Sequence, residues 1–312
     1  MYYPYLRGRQ FELIALREFA SQHSLANNIV PIIEPVKKTF NSMKLALLKL
    51  LENNIKFALI LNPIVGEIGK ISEILDSLSD ELGDKSAWIP AYILSNNYIK
   101  VVNHIEKFDY KEVMLLCSDN TDISDINFIT LVSSPRIKYI VFRENRNLKR
   151  KMTSYMKELI RLDDNFNTQK KNKDFLKIPD EKFSEEHLFY KEEGYSGFSD
   201  YTILDSEYAE GGFLPRAVAI HITYQKENEE VWIRHFTSDS NENTSNVQGK
   251  FAEAAKKAVE FLDNKDIHNF ASNELRGYYN NGNGTYPGLG MVKKISIKNH
   301  LELMNEILNS VE

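Results

Sequence analysis

Two kinds of segment alternate along the first half of the chain. Short runs at 30–33, 57–61, 88–94, 113–117 and 139–142 are apolar throughout and lack the polar alternation of a strand with one wet face. Such strands are buried on both sides. Between them apolar residues recur at helical spacing: Met43, Ala46, Leu47, Leu50 and Leu51 form one stripe, and Tyr98, Val101, Val102 and Ile105 another. This alternation predicts a parallel sheet, because each helical crossover returns the chain to the end where the previous strand began. Ahead of the first run, Phe11, Ile14, Ala15 and Phe19 predict an amphipathic helix behind a short extended segment that contains Pro4 and Gly8.

The second half reads differently. A charged helix is expected over roughly 148–162, followed by a solvated segment carrying Lys170, Lys171, Lys173 and Lys177, which could receive a phosphate or a nucleic-acid strand. Val218, Ile220, Ile222 and Tyr224 alternate with Ala219, His221 and Thr223, and a second alternating run covers 231–236, so 218–236 predicts a β-hairpin. An even connecting loop would set His221 across from Arg234, and an odd one would set it toward His235. Phe251, Ala254, Ala255, Ala258 and Leu262 mark a helix, and Ile297, Leu301, Met304 and Leu308 mark the last one. Before that last helix, 282–294 is glycine-rich and ends in Lys293 and Lys294; it reads as a tight turn, with anion binding as the functional alternative. The whole predicts one irregular (β/α) TIM-like barrel over 1–312 with the hairpin inserted in its second half; the alternative is an open doubly wound α/β sheet.

Composition narrows this picture. A chain of 312 residues that is 42% hydrophobic can fill a barrel-sized core, and no Pro-, Gly- or Ser-rich linker divides it. A net charge of -5 excludes a broad nucleic-acid-coating surface while leaving room for a local basic patch. The lone Cys117 sits inside an apolar run, where it behaves as a small buried hydrophobe, and it excludes disulfides and cysteine-rich zinc sites within the chain. Arg7, Arg9 and Glu12 occupy the start of the chain where a leader would be apolar, and no apolar run approaches the ~20 residues of a membrane span. A cytoplasmic protein without a membrane partner is expected.

Candidate chemistry follows from the strand ends, since parallel sheets place function at the carboxyl ends of their strands. Those ends deliver Glu34, Asn62, Ser95, Asp119 and Arg143, among which Glu34, Asp119 and Arg143 are the substrate-binding candidates. Asp200, His221, His235 and Asp239 are the catalytic candidates, because an imidazole set beside a cation or a second imidazole has a lowered proton affinity, which leaves it neutral with a lone pair to serve as general base or metal ligand. Asp200, Asp205 and Asp239 with a histidine would suffice for an oxygen-rich divalent-metal site, although no H-x-H, H-E-x-x-H or C-x-x-C spacing specifies one. The stretch 66–70, G-E-I-G-K, lacks the first glycine and the Ser or Thr of a phosphate loop, and Pro179-Asp180-Glu181-Lys182 only collects the letters of a nuclease site.

Five separated segments, Y-Y-P-Y-L-R-G-R-Q-F-E-L-I-A-L-R-E at 2–18, G-F-S-D-Y at 197–201, A-V-A-I-H-I-T-Y at 217–224, H-F-T-S-D-S-N at 235–241 and Y-P-G-L-G-M-V-K-K at 286–294, resemble in order a bacterial family related to the phage-type beta-protein (Beta family) group. The resemblance implies a bacterial or phage-derived cytoplasmic protein, commonly encoded beside a second small protein, and carries no catalytic residues over to this chain. It leads to the expectation of a binding or regulatory component of a two-gene bacterial system, in anti-phage defence or toxin-antitoxin function, partnered by its neighbour's product. The alternative is a metal-assisted phosphodiesterase or nuclease-like hydrolase acting on a phosphorylated or nucleic-acid substrate at the barrel rim.

Overall fold

A computed structural model describes residues 1–24, 26–211, 216–280 and 285–310. The chain forms two compact units where the sequence suggested one: residues 1–13, 23–164 and 186–201 make the first, and residues 14–22, 165–185 and 202–312 the second. Among the described residues no helix is long and apolar enough to cross a membrane.

The first unit is a TIM-like barrel. In chain order its elements are β1 (Tyr5–Arg7), the start of α1 (Gln10–Gln22), β2 (Ile32–Glu34), α2 (Asn41–Glu52), β3 (Phe57–Ile60), α3 (Ile71–Ser77), β4 (Trp88–Leu94), α4 (Tyr98–Lys107), β5 (Val113–Cys117), α5 (Ile126–Ser133), β6 (Ile137–Phe142), α6 (Arg146–Thr153) and β7 (Glu158–Asp163). The second unit's β8 (Asp180–Ser184) intervenes, and the barrel resumes with α7 (Glu186–Phe189) and β9 (Gly197–Asp200). The eight strands run parallel in the order β1-β2-β3-β4-β5-β6-β7-β9. The seam of this nearly closed ring is bridged by the N-terminal residues: Tyr2 pairs parallel with Phe198, and the Tyr3 amide donates to the Phe198 carbonyl at 2.8 Å. That seam sets the open doubly wound sheet aside. Gly197 makes the close approach possible, since a Cβ there would lie 2.5 Å from the Tyr3 ring.

Successive residues on a strand face opposite sides. The interior is therefore one cluster of same-side residues, among them Tyr5, Ile32, Ile60, Ile93, Leu116, Val141 and Leu162. The opposite-side residues Leu6, Ile33, Leu59, Tyr92, Leu115 and Ile140 are buried as well, which is why these strands read as unbroken apolar runs. The charged helix expected over roughly 148–162 is corrected. α6 ends at Thr153, and 158–163 is a strand whose Leu159, Ile160 and Leu162 are buried and whose Glu158 is exposed. An E-L-I-R-L-D segment carries apolar residues at both helical and strand spacings, so periodicity alone does not separate the two.

In the second unit the expected hairpin forms from β10 (Ala219–Gln225) and β11 (Val231–Thr237), and β11 also pairs with β8 in a separate three-stranded antiparallel sheet. Helices α8 (Val247–Asn264), α9 (Phe270–Asn280) and α10 (Leu289–Ser310) follow. Ile220, Ile222 and Phe236 of the sheet share a core with Phe251, Ala254, Ala258, Leu275 and Ile295. The lysine-bearing segment becomes a 3₁₀ turn over Asn172–Lys177 that buries Phe175. Residues 282–284 of the glycine-rich stretch lie outside the described residues. Lys294, an anion-binding candidate there, is instead fully buried and paired with Glu18 and Glu274.

Candidate functional site

The barrel interior changes from apolar to polar at the carboxyl end of its strands. One same-side step past Tyr5 is Arg7, and one past Ile32 is Glu34. Asn62, Ser118, Arg143, Asp164 and Tyr201 stand at the equivalent offset beyond β3, β5, β6, β7 and β9. Contacts tie five residues of this mouth together. The Arg7 guanidinium is 3.9 Å from the Glu34 carboxylate and 5.4 Å from the Tyr201 ring centroid, and Arg143 lies 3.4 Å from Asp164. Beneath them the Tyr5 hydroxyl donates to Glu34 at 2.7 Å, and its ring packs against Tyr201 with centroids 4.9 Å apart.

Glu34 is buried, and burial pushes its carboxyl above the usual range even though the Tyr5 hydroxyl, the Ile64 amide and Arg7 favour the charged form. Burial likewise raises the Tyr201 phenol, against the pull of Arg143 and Arg7. Arg143 is 42% exposed, so a cation faces solvent above a carboxyl that is reluctant to ionise. Asn62 is structural, its side chain donating to the Ile93 carbonyl and accepting from the Ile93 amide, both at 2.8 Å. Ser118 donates to the Leu94 carbonyl at 2.9 Å.

Of the predicted substrate-binding set, Glu34 and Arg143 belong to this mouth, and Asp119 is an exposed residue one position past Ser118. Asp200 is buried and accepts from Tyr2 at 2.6 Å; the Tyr2 ring stacks on Phe198, outside the inward cluster, so Asp200 is apart from Glu34 and Arg143. Arg7, Asp164 and Tyr201 lie outside the predicted set. Parity would have found the first two, since Arg7 lies two residues beyond inward Tyr5 and Asp164 two beyond inward Leu162; β9 carries no inward apolar side chain, so nothing local marks Tyr201.

His221, His235 and Asp239 belong to the second unit. The five-residue loop 226–230 takes the odd register, and His221 pairs directly with His235. Their Nδ1 atoms are 2.7 Å apart, and His235 Nε2 is 3.1 Å from Glu181 Oε1. A carboxylate only accepts, so His235 carries its proton on Nε2; its Nδ1 then accepts from the Nδ1–H of His221, and the Nε2 of His221 is left as a lone pair. Phe166 and Phe175 lie against both rings. Burial, then the neighbouring His235 and Lys293, hold His221 well below the usual imidazole range, and burial lowers His235 against the opposing pull of Glu181. Asp239 is exposed and ion-paired with Lys257 at 2.7 Å. Asp205 lies in the second unit as well. Among the described residues no group of three or more His, Cys, Asp or Glu is arranged to hold a metal ion. Cys117 is buried, and burial raises its thiol to about 12, which leaves it inert at neutral pH. No family model, curated protein or solved structure matches the chain.

Proposed function

We propose that this protein is a binding protein with a regulatory role, and that the barrel mouth takes a small ligand carrying an anionic group. The supporting observation is the placement of Arg7, Glu34, Arg143, Asp164 and Tyr201 at the carboxyl end of the strands, where TIM-like barrels carry their ligand sites. Arg143 supplies an exposed guanidinium whose ion pair, at 3.4 Å, is long for a charge-assisted bond, and a ligand carboxylate or phosphate competes for it directly. Tyr201 and the buried Tyr5–Glu34 pair form a floor with hydrogen-bonding capacity.

The regulatory half of the proposal rests on the resemblance: a cytoplasmic component of a two-gene bacterial system, in phage defence or toxin-antitoxin function, bound by the neighbouring gene's product. Calorimetric titration with sugar monophosphates and dicarboxylates tests the mouth, and binding that survives unchanged in Arg143→Ala would remove it. Co-expression with the neighbouring gene tests the partner, and separate elution of the two products would remove that half.

A second reading, hydrolysis of a phosphoester, is favoured by the Glu181–His235–His221 array. There the Nε2 lone pair of His221 takes a proton from water as the water oxygen attacks phosphorus and the P–O bond to the alcohol breaks, the leaving oxygen departing as an aryloxide or taking a proton from solvent, and the charge gained by His221 is shared toward Glu181 through His235. Turnover of bis(p-nitrophenyl) phosphate that disappears in His221→Gln supports this reading, and no turnover by the unaltered protein sinks it.

A further inference from the structure

Arg146, Lys149, Arg150 and Thr153 occupy positions i, i+3, i+4 and i+7 of α6, one face of a helix, and line a surface groove of about 550 Å³. Glu144, Arg161 and Glu193 complete its lining. Both carboxylates are already engaged. Glu144 accepts from the Tyr195 hydroxyl at 2.7 Å, and Glu193 accepts from Arg161 at 3.1 Å. Arg161 is also spent, since it binds Asp163 at 2.9 Å and Glu186 at 3.2 Å. The Lys149 ammonium stands 3.9 Å over the Tyr195 ring, which fixes it at the groove without neutralising it. Thr153 donates back to the Lys149 carbonyl at 2.9 Å and adds no free donor. Arg146 and Arg150 differ from all of these: both are exposed, and neither has a hydrogen-bond or ion-pair partner among the described residues.

Two unpaired guanidinium groups beside a lysine form a local positive field in a chain whose net charge is -5, so the general charge of the molecule does not account for it. Arg146 and Arg150 are separated by about 6 Å along the helix axis. A single phosphate group engages one planar fork well, whereas a chain of two or three phosphates presents oxygens to both. No unoccupied aromatic face lines the groove, the Tyr195 ring being covered by Lys149, which removes the stacking platform a nucleic-acid strand would use. We infer that this groove is an oligophosphate site, recognising a pyrophosphate or triphosphate chain either free or as the phosphate moiety of a nucleotide. It is distinct from the barrel mouth, whose cations are Arg7 and Arg143.

Calorimetric titration of the full chain with tripolyphosphate, pyrophosphate and orthophosphate at low ionic strength tests it. The expected order of affinity is tripolyphosphate, pyrophosphate, orthophosphate, at one site per chain. Arg146→Ala with Arg150→Ala is expected to lose about tenfold or more in affinity with an unchanged unfolding midpoint, both side chains being exposed. ADP compared with pyrophosphate separates the sources: equal affinity identifies the bare chain, and tighter ADP a nucleotide. Three results overturn the site: no binding of tripolyphosphate at millimolar concentration, the same loss in Lys170→Ala with Lys171→Ala, or loss in Arg143→Ala, which would move the anion to the mouth. A short single-stranded oligonucleotide binding more tightly than tripolyphosphate through Arg146 and Arg150 would also overturn it, in favour of a nucleic-acid strand.

Discussion

Two clusters in this molecule each combine two cations with two carboxylates, and they differ in bond length and exposure. In the second unit Lys294 and Lys298 each bond to both Glu18 and Glu274, at 2.5 to 2.8 Å, and the two lysine side chains are only 1% and 2% exposed. In the barrel mouth the Arg7–Glu34 and Arg143–Asp164 pairs stand at 3.9 and 3.4 Å, and Arg143 is 42% exposed. The first arrangement satisfies buried charge with charge-assisted bonds on every ammonium, so removing one member strands the others in a low dielectric. The second leaves the Arg143 guanidinium partly open to solvent, held by one long ion pair and by the Tyr201 hydroxyl, so a ligand could displace that ion pair at little structural cost. Charge composition alone does not separate these two arrangements; bond length and exposure do.

The largest effect expected from this contrast is on stability. Lys294→Ala should cost about 3–5 kcal/mol in urea unfolding, because Glu18 and Glu274 remain behind, partly buried and facing Lys298 alone. Replacing all four by apolar residues of similar size should recover most of that loss. The quartet also fixes a pH window. Burial works against the charged forms, but the lysine hydrogen bonds hold Glu18 below its usual range, and the glutamates hold Lys298 above its own. Its contribution is therefore fully present above the unfolded Glu value of about 4.3 and below the unfolded Lys value of about 10.4. It is lost as pH falls through the lowered Glu18 value or rises through the raised Lys298 value. A Lys294→Ala variant no less stable than the parent would show that the quartet is not a fastening.

Why the quartet escaped the sequence while half of the mouth did not is a matter of distance along the chain. Glu18 bonds Lys294 across 276 residues, and no local pattern announces such a pair. The parallel repeat was legible because strands such as W-I-P-A-Y-I-L are apolar on both faces, and Glu34 and Arg143 were legible because they end or follow such runs. β9 was not, since G-F-S-D is short and half polar; its strand character comes from pairing with β7 and with the N-terminal residues. The partner of Arg7 was not legible, because Glu34 is on another strand. The His221–His235 pairing was reachable through parity, the odd loop being one of the two registers the sequence allowed.

Arg143→Ala tests the other side of the comparison. Anionic-ligand affinity should fall about tenfold to a hundredfold, the range for hydrogen bonds to a charged group. Unfolding free energy should move by less than about 0.5 kcal/mol, as for other surface substitutions. A comparable loss of stability would make the mouth a second fastening.

Between the two clusters in magnitude stands the histidine pair, which is sensitive to pH where the quartet is flat. His221 and His235 are both held below the usual imidazole range in the folded chain, so the unfolded chain binds more protons below about 6.5. Stability is expected to be full above that value and to fall by about 1.4 kcal/mol per pH unit below it for each group that stays neutral. Urea midpoints in mildly acidic and neutral buffer measure this slope. His221→Asn should reduce it, and an unchanged slope would show that the pair protonates freely in place.

The smallest expected effect lies in Glu34 and concerns binding, not folding. Its raised pKa keeps the neutral acid populated at a higher pH than an exposed glutamate would. Ionised, Glu34 places a negative charge 3.9 Å from Arg7 and competes with an incoming anion for that guanidinium. Protonated, it still occupies the Tyr5 hydroxyl's side of the mouth but no longer neutralises Arg7. Anionic-ligand affinity should therefore rise as pH falls through the raised value, by about threefold to tenfold, which is no more than one unit of differential interaction between the two protonation states. Glu34→Gln should bind at the low-pH affinity throughout and flatten the profile. If the profile keeps its slope in Glu34→Gln, the titrating group is another one, and the mouth's anion selectivity would then rest on Arg143 alone.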